Sequence, residues 1–307
     1  MRFWLCSLAL CCLLACPALA QVPGSPSRVH GPVSLQSPLN LQHPQTRGLG
    51  TMWHVLPGLD GGTTWYDLRQ RWPLTLVNMT TPGSSGYAGT SRPGGLGEIR
   101  FDGSNDYATA TGSSTALAFA DTTFTVSAWL KTTSLAVQQF LIAEQLGGTS
   151  QGGWLLRLET TGLLQARILD STNSNVARRS SSTTLAVTTW YHVAVAYTTN
   201  TSTQAGNTVR LYLNGLLDQS SQTDGANPYS VCGCDVIVGM QGDLTSSPFV
   251  GALDDIRIYN VGLSAQEVQQ VYELGRRGSP GLFQRFGTGL VASTTSGQRG
   301  SFFPFFQ

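Results

Sequence analysis

Apolar and polar residues alternate along most of the chain beyond residue 50. In 124–131, Phe124, Val126, Ala128 and Leu130 share one side, and Thr125, Ser127, Trp129 and Lys131 share the other. That two-residue period is the signature of a β-strand. The pattern recurs where Tyr191, Val193, Val195 and Tyr197 alternate with Trp190, His192, Ala194 and Ala196, and where Val209, Leu211 and Leu213 alternate with Arg210, Tyr212 and Asn214. Residues 154–170 read as two strands around Thr160-Thr161-Gly162, a hairpin signal. A helical period emerges once. Ser264 and Glu267 have the spacing of a capping box, Val268, Val271 and Tyr272 form an i, i+3, i+4 stripe, and Gly275 is expected to stop the helix. Many short strands with regular turns and one helix predict an all-β fold: an antiparallel two-sheet sandwich with one short C-terminal helix.

Five segments occur in a telling order: FDGSNDY at 101–107, FTVSAWLK at 124–131, WYHVAVAY at 190–197, VRLYLNG at 209–215 and FVGALDDIRIYNVGLSAQEVQQVYE at 249–273. Together they resemble the laminin-G-like family over roughly residues 51–275. The resemblance implies the concanavalin A-like jelly roll and a non-catalytic binding or adhesion module that recognises carbohydrate or an extracellular protein. Two other roles stay open: a structural subunit of an extracellular assembly, and a glycoside hydrolase on the same fold.

Residues 1–20 read as a signal peptide, with Arg2, an apolar run and Ala18-Leu19-Ala20 before Gln21. The product is then secreted or displayed at the cell surface. A competing reading takes Leu13-Leu14-Ala15-Cys16 as a lipoprotein box, with the protein anchored through a lipidated Cys16. The proline-rich stretch 21–50 reads as a linker, 51–275 as the jelly-roll domain, and 276–307 as a flexible Gly/Ser-rich tail. Its terminal phenylalanines offer a self-association contact. Of six cysteines, cleavage would leave only Cys232 and Cys234, so the fold must rest on its core. With 11% charged residues and a net charge of +1, the chain lacks the broad basic surface of a nucleic-acid binder.

Catalytic motifs are missing. None of the four histidines stands in HExxH or beside a GxSxG elbow. Glycosidases of the resembled fold carry E-x-D-x-x-E on one strand, and no such string occurs here, so no catalytic residue is expected. A structural calcium is the one cofactor expected, because Asp254 is in phase with the apolar Ile256 and Ile258 and needs neutralising there. The resemblance implies Asp67 and Asp254 as ligands. The 102–106 turn adds Asn105, beside Asp102 and Asp106, as hard oxygen donors; alternatively these turn residues bond their own backbone. Trp65, Trp72, Trp154 and Tyr229, near loops, are candidate sugar-stacking aromatics, whereas Trp129 and Trp190 are expected to be covered. Cys232 and Cys234 are expected to close a tight local disulfide around Gly233.

Overall fold

The computed structural model describes residues 39–283 apart from 58–60, 81–83, 120–121, 147–151, 200–206, 220 and 225–228. The expected signal peptide, Cys16, most of the linker and the terminal phenylalanines lie outside the described residues.

Among the described residues, seventeen strands form two antiparallel sheets. The first contains β1 (Leu49–Trp53), β4 (Gly86–Ala88), β5 (Glu98–Asp102), β7 (Thr123–Thr132), β12 (Tyr191–Thr198), β13 (Thr208–Leu213), β14 (Leu216–Leu217) and β17 (Val250–Tyr259). Its order is β14-β13-β12-β7-β17-β5-β4, with β1 also on β17. The second contains β2 (Thr64–Trp65), β3 (Leu74–Val77), β6 (Tyr107–Ala110), β8 (Gln139–Glu144), β9 (Gly153–Leu158), β10 (Leu163–Leu169), β11 (Asn175–Thr184), β15 (Ser221–Asp224) and β16 (Val236–Val238), in the order β15-β11-β10-β9-β8-β16-β6-β3-β2. The alternation assigns faces as expected. Phe124, Val126, Ala128 and Leu130 meet Trp154, Leu156, Leu158, Leu164, Ala166 and Ile168 in the inter-sheet core.

The other face of the first sheet is half covered. Helix α1 (Ala265–Arg276) lies there with Val268 and Val271 buried, against Met52, Tyr212, Leu39 and Leu282. Both hydrogen bonds of the capping box are made: Glu267 N donates to Ser264 Oγ at 3.3 Å, and Ser264 N donates to Glu267 Oε2 at 2.9 Å. Two expectations are corrected here. Residues 39–50 and 276–283 belong to the body rather than to linker and tail, because Leu39 and Leu282 are fully buried and Leu39 bridges to Phe283. Gly275 does not end the helix, which continues to Arg276. A Cβ at Gly275 would come within 2.7 Å of Trp129 Nε1, so this glycine is set by close packing.

Strand β17 is the hinge of the first sheet. One edge pairs with β7 at Gly251–Asp254 and again at Arg257–Tyr259, while the other passes from β5 at Val250–Leu253 to β1 at Ile256–Tyr259. The register breaks between Asp254 and Arg257, and Asp255 has φ +50°. This bulge changes the phase. Asp254, opposite Trp129, therefore faces outward instead of sharing the core side with Ile256 and Ile258. Asp255 also lies on the outer side, since the Cβ position of Gly275 is close both to its Oδ2 and to Trp129.

Candidate functional site

Beyond the helix, the outer face of the first sheet is open to a groove of about 380 Å³. Its floor follows from the ladder: Ala252 pairs with Arg100 on β5 and with Lys131 on β7, so a methyl group separates two long cationic side chains. Ser84, Glu98 and Asp102 also line it. Glu98 is fully buried in its wall. Its Oε1 accepts from Arg100 Nε at 2.8 Å and lies 3.6 Å from Lys131 Nζ, while Oε2 has no hydrogen-bond partner. Lys131 Nζ stands 4.9 Å from the ring centre of the half-buried Trp190, whose Nε1 donates to Ser91 Oγ at 3.2 Å. Fixed acceptors, fixed donors and an indole plane suit a polyhydroxylated ligand. The alternation Glu98-Ile99-Arg100-Phe101-Asp102 carried the signal, but nothing in the chain alone showed that Ala252 would open space beside it.

The expected stacking aromatics are placed differently. Trp65, Trp154 and Tyr229 are core residues, with 1%, 0% and 3% of their surface exposed. Trp154 Nε1 donates to the carbonyl of Leu117 at 3.0 Å, and the Tyr229 hydroxyl donates to that of Ala118. All three rings are buried inside the sandwich, so they offer no face to a sugar. Trp72 is half-buried against the core, with Arg71 over its ring at 5.8 Å. Trp129 is covered by the helix and lies near Tyr272 and Arg92.

The expected calcium ligands are each engaged by other groups or exposed. Asp67 accepts backbone N–H bonds from Met52 and Arg69 on Oδ1 and from Arg71 and Trp72 on Oδ2, at 2.8–3.0 Å. Asp254 receives Arg92 on Oδ2, while Oδ1 accepts from Val55 N and meets His54 Nδ1 at 2.9 Å. A guanidinium thus supplies the positive charge expected of a metal. Asn105 is exposed, and its carbonyl accepts from the Asn78 side chain. Asp102 and Asp106 bond their own turn, at Ser104 N and Asp102 N.

Beside this pair, Asp255 makes a two-pronged ion pair with Arg257, at 2.6 and 2.8 Å. Burial alone would raise the Asp255 carboxyl, but the charge and hydrogen bonds of Arg257 hold it well below the usual range. His192 in the same layer is pushed down to about 3, first by burial and then by Arg257 and Arg92, against the opposing pull of Asp255; it is a neutral packing group. Cys232 and Cys234 are joined by a disulfide, with Cα atoms 5.2 Å apart. Their loop covers Glu144, whose Oε1 accepts from Gly233 N at 3.0 Å and from Cys234 N at 3.4 Å.

The family model described as the Concanavalin A-like lectin/glucanases superfamily matches residues 102–269. No curated protein matches the chain. Among solved structures, Trypanosoma rangeli sialidase in complex with 2,3-difluorosialic acid is 14% identical with a TM-score of 0.51, over 74% of this chain and 33% of that one. The same enzyme in complex with sialic acid gives 14% and 0.50, with 74% and 33% covered. Domain 4 of a GH43 extracellular arabinanase from Geobacillus stearothermophilus, in complex with arabinotriose, is 16% identical with a TM-score of 0.49, over 73% of this chain and 98% of that one. Such low identities show a shared fold alone, and the chain spans about a third of the sialidase's length.

Proposed function

Because the chain belongs to the concanavalin A-like lectin/glucanase superfamily, we propose that it is a non-catalytic carbohydrate-binding module, secreted or displayed at the cell surface. The observation that carries this reading is Glu98 Oε2, a buried acceptor without a partner in the wall of an open polar groove. A buried acceptor left unpaired costs about 1–3 kcal/mol, which a ligand hydroxyl would return. Arg100 and Lys131 hold the carboxylate in place as an acceptor and present further donors, and Trp190 offers an apolar plane at the Lys131 side. Among the described residues no helix is long and apolar enough to cross a membrane. Export rests on the leader-like residues 1–20.

The test is a glycan screen of the full chain followed by titration of the best ligand. Micromolar to millimolar binding that weakens in Glu98→Gln and Trp190→Ala supports the groove. A ligand whose affinity ignores both substitutions places the site elsewhere, and no glycan bound at millimolar concentration overturns the reading.

A further inference from the structure

The loop over Glu144 gathers three chemically reactive groups that the groove does not use. Glu144 is the last residue of β8, and Cys232-Gly233-Cys234 runs across it just before β16. In a straight strand, positions i and i+2 stand about 6.6 Å apart. Gly233, at φ +68°, bends the loop and brings the two cysteine Cα atoms to 5.2 Å. Few residues other than glycine take that backbone conformation easily. The bend turns both sulfurs toward one carboxylate: the two Sγ atoms and an oxygen of Glu144 all lie within 4.8 Å of one another.

Folding alone does not account for this cluster. Glu144 is fully buried, yet its Oε2 has no hydrogen-bond partner. Such an acceptor costs stability unless something pairs with it. The disulfide closes a ring around a single residue, so it restrains almost no chain, and the sandwich does not depend on it. Cys232 is half-buried, which leaves its sulfur within reach of an attacking thiol.

We infer that the Cys232–Cys234 disulfide, once reduced, becomes a zinc site whose ligands are the two thiolates and the Glu144 carboxylate. A dithiol reductant breaks the S–S bond, supplies two electrons and two protons, and leaves as its own disulfide. Zinc then displaces the two thiol protons to solvent. Two thiolates alone hold zinc poorly, and the carboxylate supplies the third protein ligand of a site with an open fourth position. Tetrahedral zinc with Zn–S of about 2.3 Å and Zn–O of about 2.1 Å sets its ligand atoms about 3.6–3.8 Å apart. Donors already within 4.8 Å need only small shifts to reach that spacing. Thiolate sulfur selects zinc over calcium or magnesium. The backbone N–H groups of Gly233 and Cys234 hold Glu144 Oε1 and so keep the carboxylate under the loop. The closed disulfide consumes both sulfur donors, so the site is gated by reduction, and bound zinc opposes reoxidation by mass action.

The test is titration of the full chain with zinc and with cobalt. Every sample carries Cys6→Ser, Cys11→Ser, Cys12→Ser and Cys16→Ser, so that residues 1–20 contribute no thiol. After reduction with dithiothreitol and its removal under nitrogen, the parent should bind one zinc with a Kd of about 1 μM or tighter. Cobalt should give thiolate charge-transfer and tetrahedral absorption bands. The oxidised parent should bind zinc at least about a hundredfold more weakly. Glu144→Gln keeps both thiols and should lose about tenfold or more in zinc affinity. Cys232→Ser/Cys234→Ser should show no cobalt–thiolate band. Metal-free melting curves should stay cooperative in the reduced parent and in both variants, which separates lost ligands from lost fold. Unfolding on reduction, no zinc bound by the reduced parent at about 0.1 mM, equal binding by the oxidised chain, or unchanged affinity in Glu144→Gln would overturn the inference.

Discussion

Arg92 donates through both Nε and Nη2 to one oxygen of Asp254, at 3.0 and 2.7 Å, with neither side chain exposed to solvent. The same guanidinium reaches the carbonyl of Gly275 at 3.1 Å, near the end of α1, and so ties the bulge of β17 to the helix above it. Removing the cation leaves a buried carboxylate with the Val55 N–H and His54 on one oxygen. Arg92→Leu should lose about 3–5 kcal/mol of stability in urea titration. Arg92→Leu/Asp254→Leu should recover much of it. A loss under 1 kcal/mol in the single variant would mean that water reaches Asp254.

Because Asp67 is saturated by backbone donors and Asp254 by Arg92, calcium has little to gain from this region. The melting temperature should stay unchanged between millimolar calcium and excess chelator. A ligand of the native state would shift it by mass action, so a rise with calcium would reinstate a metal.

Glu144 is fully buried, and Oε2 lacks a partner. Burial pushes it up to about 8 from an ordinary 4.5, against the pull of the backbone N–H groups of residues 232–234. A carboxyl raised on folding contributes stability that is complete below its unfolded value and is lost as pH rises through the folded one. The chain should therefore lose stability between about pH 4.5 and 8, by at most about 5 kcal/mol from this group. In Glu144→Gln that slope should flatten, with the variant near parental at pH 5 and more stable at pH 9. Denaturation curves at the two pH values decide it, and parallel losses in parent and variant would refute it.

Gly275 sits inside α1 against Trp129, where a Cβ would come within 2.7 Å of the indole nitrogen. Helix propensity favours alanine there by about 1 kcal/mol, but overpacking costs about 1–3 kcal/mol. Gly275→Ala should be destabilising overall and should alter the near-ultraviolet circular dichroism of the tryptophans. A stabilised variant with an unchanged spectrum would show that the helix lifts without cost.

The strands and the single helix were legible because their periods are local. The assignment of Phe124, Val126, Ala128 and Leu130 to the core needed only alternation. Asp254 was misplaced because the bulge at Asp255 shifts the phase by one, and a bulge without glycine leaves no local mark. Trp154 and Tyr229 were misread as exposed because they flank loops, whereas their polar atoms find the carbonyls of Leu117 and Ala118, more than 30 residues away in sequence. Glu98 and Lys131 were not singled out for the same reason: their meeting depends on β17 running between their strands.

On the proposed function, ligand contact belongs to the groove and not to the loop aromatics first expected. Calorimetric titration of one glycan into the parent, Glu98→Gln and Trp154→Phe tests it most directly. Glu98→Gln should weaken binding by about tenfold or more with little change in melting temperature. Trp154→Phe should lower the melting temperature and leave affinity intact. The reverse pattern, affinity lost with Trp154 and retained without the Glu98 carboxylate, would contradict the assignment.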